Sequence, residues 1–249
     1  MFSHSSQFFL IFVSLAIVIL DSPALAIIGG KQSEITKEPW TVELIIGHNQ
    51  YCGGSILKEN FVLTAAKCVY DVDISKVRIH YGATYFVQAG EFVWGKKVFY
   101  DGFDNKTSQN NIAVVQTRDS MRLDQITSKS IELTDPLNDP RAGTEVLVSG
   151  WGDLGSESPV QSFHLMDANF TVVDRDECGK KLPDKGISTR EFCAGGNGVA
   201  VSTGDEGDPA VQDSKLVGVA SYGNGKDLPS VFTRVGFFVN WIKIILETN

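Results

Sequence analysis

Short apolar runs alternate with clusters of Gly, Asn, Asp and Ser along most of the chain. Runs that are rich in β-branched and aromatic residues, and bounded by turn-forming residues, are typical of strands in an all-β sandwich or barrel. The segments that predict strands are Trp40–Ile46, Phe61–Ala65, Val77–Tyr81, Ile112–Gln116, Val146–Val148, Phe170–Val173, Lys215–Ser221 and Val231–Thr233.

One segment near the C-terminus has the period of a helix instead. Its apolar residues fall at the i, i+3, i+4, i+7 and i+11 positions that line one face of a helix. These residues are Val235, Phe238, Val239, Ile242 and Leu246. We therefore expect many strands, followed by one amphipathic α-helix that packs on them.

The N-terminus carries an apolar run over residues 8–20, interrupted only by Ser14, and an A-x-A triplet at residues 24–26. As a helix this run spans ~20 Å, too short for a bilayer core of ~30 Å, so a membrane anchor is the weaker alternative. An apolar run before such a triplet is typical of a secretory signal peptide, although Lys and Arg are absent before this one. We expect residues 1–26 to be removed, the protein to be secreted, and the mature chain to begin at Ile27.

The charge balance excludes two classes of partner. The 249 residues include 22 Lys and Arg against 30 Asp and Glu, which gives a net charge of −8. Removal of residues 1–26, which hold one acid and neither Lys nor Arg, would leave −7. Nucleic acids and anionic membranes both attract dense positive charge, so we expect this chain to bind neither.

The four cysteines all lie in the predicted mature chain, where secretion permits disulfides. Two local bridges, Cys52 with Cys68 and Cys178 with Cys193, are the simplest pairing, and each would contribute roughly 3 kcal/mol on the chain-entropy model. Zinc is the competing interpretation. The spacings are too wide for a zinc ribbon and the histidines form no ligand cluster, so we expect neither a metal nor another cofactor.

Two segments match the acceptor pattern for N-linked glycans. Asn105 is followed by Lys-Thr, and Asn169 is followed by Phe-Thr. In a secreted protein both asparagines are glycosylation candidates, and the alternative is that each is a bare surface position.

Seven sequence blocks, in order, resemble the trypsin/chymotrypsin family of serine proteases. They are Ile27-Ile28-Gly29-Gly30, Cys52-Gly53-Gly54-Ser55, Leu63-Thr64-Ala65-Ala66-Lys67-Cys68, Asn110-Asn111-Ile112-Ala113, Gly150-Trp151-Gly152, Gly204-Asp205-Glu206-Gly207-Asp208-Pro209 and Ser221-Tyr222-Gly223. The resemblance implies one serine protease domain over residues 27–249, built as two packed six-stranded antiparallel β-barrels. The N-terminal barrel would cover about 27–140, and the C-terminal barrel with its helix about 141–249.

The family's catalysis needs a Ser nucleophile, a His that takes its proton and an Asp that orients the His. In the matching blocks these positions hold Glu206, Lys67 and Asn111. An ammonium group cannot accept a proton as a neutral imidazole does, and the Glu206 carboxylate would stand where the tetrahedral oxyanion develops. Loss of the triad in a related system costs roughly 10⁶ in turnover. The resemblance therefore implies a protease fold that is not an enzyme.

The opposite charges of Lys67 and Glu206 leave two interpretations. One is an internal ion pair, touched by the Asn111 amide oxygen, that plugs the former site. The other is a hydrolase with a non-standard Lys67/Glu206 site, which needs burial that tunes both groups for acid–base chemistry. We favour the ion pair, because mutual attraction in an open cleft keeps both groups charged.

The family's substrate pocket is altered as well. The position that carries an Asp in trypsin-like relatives is Ala200, and a pocket-wall glycine is replaced by Ser230 while Gly223 keeps its identity. The half-cystines of a third family disulfide are replaced by Ser202 and Lys226. The resemblance therefore implies a pocket that is narrower and rebuilt at its rim.

In active relatives a freed Ile amine pairs with the Asp that precedes the nucleophile. Here Ile27 would be freed directly by signal cleavage, and Asp205 is present to receive it. We expect this ion pair to order the fold without an activating protease. The alternative is that Asp205 only makes hydrogen bonds within its loop.

The mutated triad, the four cysteines and the IIGG start look like the scabies mite inactivated protease paralogues, a group associated with interference with host complement. The resemblance implies a secreted, monomeric pseudoprotease that binds host or extracellular proteins, complement components among them, through its exposed surface. The alternatives are the Lys67/Glu206 hydrolase and a ligand-binding module on the same fold.

Overall fold

The structure is a computed structural model that describes residues 27–47, 50–86, 88–153 and 161–249. The predicted signal peptide, residues 1–26, lies outside the described residues. The strands are β1 Lys31–Gln32, β2 Thr41–Ile46, β3 Gln50–Lys58, β4 Phe61–Thr64, β5 Val77–Tyr81, β6 Glu91–Tyr100, β7 Ala113–Thr117, β8 Glu132–Leu133, β9 Glu145–Gly150, β10 Met166–Val173, β11 Glu191–Ala194, β12 Pro209–Gln212, β13 Lys215–Tyr222 and β14 Ser230–Arg234.

Twelve of these strands form two closed antiparallel barrels. The first barrel has the order β2-β3-β4-β7-β6-β5, and the second has β9-β10-β11-β14-β13-β12 and closes between β12 and β9. The short β1 adds to β10, and β8 pairs in parallel with β13. The predicted architecture, two six-stranded barrels of the trypsin-like fold, is confirmed.

The helices are α1 Ala66–Val69, α2 Arg175–Lys181 and α3 Val235–Thr248, with a 3₁₀ helix at Ile74–Lys76. The C-terminal helix predicted from the apolar spacing is α3. Four of the five residues predicted to line its inner face are buried: Val235, Phe238, Val239 and Ile242. The fifth, Leu246, is only half-buried, and its neighbour Ile245 is buried instead.

Each barrel has its own apolar interior. The core of the first barrel continues into the buried face of α3, while the second is filled by stacked and edge-on rings of Phe170, Phe192 and Phe232. At the seam between the barrels, the Thr41 and Ser149 hydroxyl groups lie 2.7 Å apart. The candidate site lies at this seam.

Both predicted disulfides are confirmed. Cys52–Cys68 ties β3 to α1, and Cys178–Cys193 ties α2 to β11. Each of the four cysteines is therefore part of one of these two disulfides. Among the described residues, no group of three or more His, Cys, Asp and Glu side chains is arranged to hold a metal ion.

Candidate active site

Three connections at the seam bring the predicted site residues together. Lys67 lies in α1 just after β4, Asn111 lies two residues before the start of β7, and Glu206 lies in the turn before β12. That turn is fixed to the first barrel, because the backbone N–H of Gly53 donates to the carbonyl oxygen of Glu206 at 2.8 Å. The Cys52–Cys68 disulfide braces the same junction from the side of α1.

Asn111 is fully buried, and both polar atoms of its side chain form hydrogen bonds. Its Oδ1 accepts the backbone N–H of Lys67 at 2.8 Å, and its Nδ2 donates to the Ser221 hydroxyl at 2.9 Å. Its carbonyl oxygen accepts from the Thr233 hydroxyl at 3.0 Å. The amide therefore holds the backbone of α1, and it faces the main chain of Lys67 rather than the ammonium group.

The predicted contact between Lys67 and Glu206 is wrong. Lys67 is exposed, and among the described residues its ammonium has no carboxylate within 4.0 Å. A lysine side chain loses rotamer entropy when it is held in one geometry, and an exposed ion pair returns little free energy. The ammonium accordingly stays in solvent.

Glu206 instead binds the backbone of its own turn. Its Oε2 accepts the N–H of Gly204 at 2.9 Å. In proteases of the family that the sequence resembles, the N–H groups of the nucleophile and of the glycine two residues before it bind the oxyanion. Glu206 and Gly204 are the matching residues, so the carboxylate occupies one donor of that oxyanion hole.

The predicted pocket residues line a closed slot. Ala200 and Ser230 are fully buried, and the Ser230 hydroxyl accepts the N–H of Val201 at 3.0 Å. Gly223 lies so close that a Cβ there would collide with the Val201 carbonyl oxygen. The two walls are in contact, which leaves no room for a substrate side chain. Val201 was not singled out from the sequence, although it directly follows the pocket-base position.

The rim that lacks the third disulfide is held by backbone contacts. The N–H of Ser202 donates to the Asp205 carboxylate at 2.8 Å. The carbonyl oxygen of Lys226 accepts from the N–H of Gly198 at 2.8 Å. These bonds act on the main chain, so they depend little on the side chains that replaced the cysteines.

Two acidic residues of the turn, Asp205 and Asp208, are buried, and neither forms an ion pair with any residue that the structure describes. Asp205 accepts hydrogen bonds from the N–H groups of Gly152 and Ser202, and burial still raises the pKa of its carboxyl to about 7. Asp208 fits between Gly53 and Gly150, where any Cβ would collide with its carboxyl group. Its carboxyl group lies beside that of Asp205, and within the described part of the chain no N–H or hydroxyl donor reaches its buried oxygens. Burial, and then the neighbouring Asp205, raise the pKa of Asp208 well above its usual range.

The segment that begins at Ile27 is inserted into the second barrel. The Ile27 side chain is fully buried in that core, and its carbonyl oxygen accepts from the N–H of Gly30 at 2.7 Å. Ile28 forms an antiparallel bridge with Ala200 at the base of the pocket. The predicted ion pair between a free Ile27 amine and Asp205 stays a prediction.

An open cleft of about 360 Å³ remains beside the closed slot. Its walls include Gln50, Tyr51, Lys67, Gln161 and Glu206, together with the Cys52–Cys68 disulfide, and they include none of the pocket residues. The half of the site nearest the disulfide is therefore accessible while the specificity pocket is not.

The two glycosylation candidates both face solvent. Asn105 lies in an exposed loop, and Asn169 is an exposed position on β10 with Thr171 beside it on the same face. In the described ranges, no helix combines the length and the apolar character that crossing a membrane requires.

The fold and the geometry of this site define a trypsin-like serine protease homologue. A profile of the trypsin family matches residues 27–242. Trypsin Blo t 3 of Blomia tropicalis is 33% identical over 204 residues, which cover 78% of this chain and 77% of that protein. Trypsin epsilon of Drosophila erecta is 31% identical over 229 residues, 87% of this chain and 86% of that protein. The chain belongs to the trypsin family.

Within that family the chain is similar to two solved structures of inactivated proteins. Scabies mite inactivated protease paralogue S-D1 is 48% identical, with a TM-score of 0.86 and coverage of 89% of this chain and 97% of that one. Scabies mite inactivated protease paralogue S-I1 is 37% identical, with a TM-score of 0.82 and coverage of 88% and 99%.

Proposed function

We propose that this protein is a secreted pseudoprotease that acts by binding other proteins and that inhibits host complement. The observation that carries the first part is the contact between Glu206 and Gly204. A carboxylate on an oxyanion-hole donor opposes the negative charge that amide hydrolysis must develop at that position. Neither Lys67 nor Asn111 supplies a base that could compensate.

The closed slot supports the same proposal independently of the chemistry. Contact between Gly223 and Val201 prevents a substrate side chain from entering the specificity pocket. The binding energy that would position the scissile bond is therefore absent. Two separate requirements of proteolysis, charge stabilisation and substrate positioning, are therefore unmet.

Complement inhibition is supported by the resemblance to the scabies mite inactivated protease paralogues. Secretion is supported by the two disulfides and by the trypsin family, whose members are generally secreted. The open cleft and the exposed surface are the parts of the molecule that remain for a partner.

A labelling and turnover experiment tests the loss of activity. The purified chain from Ile27 is incubated with a fluorophosphonate reagent and with a broad panel of peptide substrates. We expect neither labelling nor cleavage, with an active trypsin as the positive control. Cleavage that Glu206→Ala abolishes would contradict the proposal and favour the Lys67/Glu206 hydrolase.

A serum haemolysis assay tests the inhibition of complement. Target cells are exposed to serum with increasing amounts of purified protein, and the heat-denatured protein is the control. We expect protection of the cells at micromolar concentrations of folded protein only. Full lysis at those concentrations would refute complement inhibition while leaving the loss of activity untouched.

A further inference from the structure

The outer face of the first barrel carries two exposed aromatic rings among basic side chains. We call this surface the β6 patch and define it as Arg78, Phe92, Trp94, Lys96 and Arg118. Phe92 is 42% exposed and Trp94 is 40% exposed, although both lie on a regular strand. Adjacent exposed aromatic side chains on a soluble protein are typical of an interaction site.

The strand pairing brings these side chains together. Arg78 on β5 lies directly opposite Trp94 on β6, and its guanidinium carbon lies 5.4 Å from the centre of the Phe92 ring. Lys96 is the extra residue of a bulge in β6, and the N–H of Arg118 donates to the Trp94 carbonyl oxygen at 2.7 Å. Cations therefore border the rings along both neighbouring strands.

The Phe92 ring is fixed from below. It stacks on the buried His80 ring with 4.5 Å between centres and 16° between planes. His80 is held in turn, because its Nε2 lies 2.8 Å from the Ala89 carbonyl oxygen and its Nδ1 lies 3.5 Å from the Glu43 carboxylate. A ring held in this way loses little conformational entropy when a partner covers it.

The charges of the patch indicate the chemistry of the partner. Within the described ranges, none of Arg78, Lys96 and Arg118 forms an ion pair. The acid at the start of β6, Glu91, accepts from the Tyr81 hydroxyl at 2.8 Å, and Asp119 lies at the border. The patch is locally positive on a chain whose net charge is −8.

We propose that the β6 patch docks an acidic segment of a partner protein, one that carries apolar side chains between its carboxylates. Apolar side chains would cover the Phe92 and Trp94 rings, and carboxylates would pair with the flanking cations. The inference rests on the protein-binding function proposed above, and it assigns that binding to the β6 patch. A long sulfated polysaccharide fits less well, because the negative chain around the patch repels it.

Binding of three defined probes by the mature chain tests the chemistry. The probes are a short peptide in which glutamate and leucine alternate, the same peptide with glutamine for glutamate, and a heparin oligosaccharide. We expect the acidic peptide to bind in calorimetry and to change the fluorescence of Trp94, and its affinity to fall as salt rises. The glutamine peptide should bind at least about tenfold more weakly. Equal binding of both peptides, no binding, or tighter binding of heparin would overturn the proposal.

Variants locate the binding surface. Trp94→Ala and Arg118→Glu should each weaken binding of the acidic peptide by about tenfold or more. Ile244→Ala and Lys243→Glu change one exposed apolar and one exposed basic residue on α3 and should leave peptide binding unchanged. Thermal unfolding identifies variants that fold like the wild type, and only those are compared. Equal loss in both pairs, or in neither, would refute the β6 patch as the site.

The haemolysis assay separates this inference from the function on which it rests. If wild-type protein protects cells and the Trp94→Ala and Arg118→Glu variants do not, both proposals are supported. If these variants protect as well as wild type, complement inhibition stands and the docking surface is refuted. If wild-type protein fails to protect, complement inhibition is refuted, and the peptide experiment alone decides whether the patch binds acidic segments.

Discussion

At the scale of single residues, Asp208 is a buried acid at the seam whose ionisation is unfavourable in the folded state. It lies between two glycines and is fully buried next to Asp205, and no cation of the described residues pairs with it. Because water is excluded, the carboxyl group holds its proton in the folded state at a pH where the unfolded chain has released it. The folded state therefore binds more protons than the unfolded state above about pH 4.

We predict that the free energy of unfolding falls as the pH rises above about 4, since folding raises the pKa of the Asp208 carboxyl group. Asp208→Asn keeps the shape of the side chain but replaces the titrating carboxyl group with an amide that does not titrate. The variant should have a flatter pH dependence of stability. At pH 8 its free energy of unfolding should be higher by about 1 kcal/mol or more, which corresponds to a rise of a few degrees in melting temperature. Urea unfolding at pH 5 and pH 8 measures this. The exposed Asp227→Asn is the control, and a pH profile unchanged by Asp208→Asn would contradict the prediction.

Asn111 shows which part of the old triad still has a structural role. Asn111→Ala would leave the backbone N–H of Lys67 and the buried Ser221 hydroxyl without their partner, and we expect it to cost about 1–3 kcal/mol. At about pH 4 the new carboxyl group of Asn111→Asp can hold its proton, accept from Lys67 and donate to Ser221 as the amide does, so its cost should be below about 1 kcal/mol. Denaturant unfolding of the two variants side by side distinguishes them. Equal costs would mean that the hydrogen bonds of Asn111 contribute little.

The sequence was sufficient to predict which residues fill the triad positions, but it was not sufficient to predict their contacts. Opposite charge favoured an ion pair between Lys67 and Glu206. The structure gives Glu206 the N–H of Gly204, only two residues away, which orders one short segment instead of two long side chains. Competition between a local backbone donor and a distant ammonium is decided by geometry that residue identity does not contain.

At the scale of elements, the pocket is closed by main chain as well as by side chains. The end of β13 approaches the segment around Val201 until Gly223 is in contact with it, and Ser230 at the start of β14 holds Val201 from the other side. Restoring the triad would leave this arrangement in place. Catalytic chemistry and substrate recognition should therefore be recoverable separately.

We predict that the triple variant Lys67→His, Asn111→Asp and Glu206→Ser reacts with a small fluorophosphonate but cleaves no peptide substrate. Removal of the Glu206 carboxylate frees the N–H of Gly204, which permits attack on a small reagent. The closed slot still excludes Arg, Phe and Leu side chains. Labelling measured by mass spectrometry and a peptide panel check both halves. Glu206→Ser alone is the control and should not be labelled; peptide cleavage by the triple variant would show that the slot opens.

The strand pattern was predictable where alternation was simple. Val77–Tyr81 was predicted with both of its ends, and most other predicted runs fall within observed strands. The long β6 was missed, because its sequence places Gly95 and two lysines at a bulge and so interrupts the alternation that marks a strand. The polar helix α2 was missed as well. It has one fully buried side chain, Cys178, and is stabilised by its disulfide and by Asp174 as N-cap, so an apolar period is absent.

At the scale of the whole molecule, the segment following residue 26 is anchored in the second barrel. Ile27 is packed in the second core and Ile28 bridges the base of the pocket. Asp205 already has two backbone donors and an elevated pKa. A free ammonium group at Ile27 would supply the positive charge that this buried carboxylate lacks.

We predict that the secreted chain begins at Ile27 and that its free amine stabilises the fold through Asp205. A double-mutant cycle measures this: Asp205→Asn is compared in a chain that begins at Ile27 and in one with a single added N-terminal residue. Because the substitution changes the bonds to Gly152 and Ser202 equally in both chains, the difference reports the ion pair alone. We expect Asp205→Asn to cost about 3 kcal/mol more in the chain that begins at Ile27. Equal costs would mean that Asp205 only orders its own loop, and N-terminal sequencing that begins elsewhere would refute direct maturation.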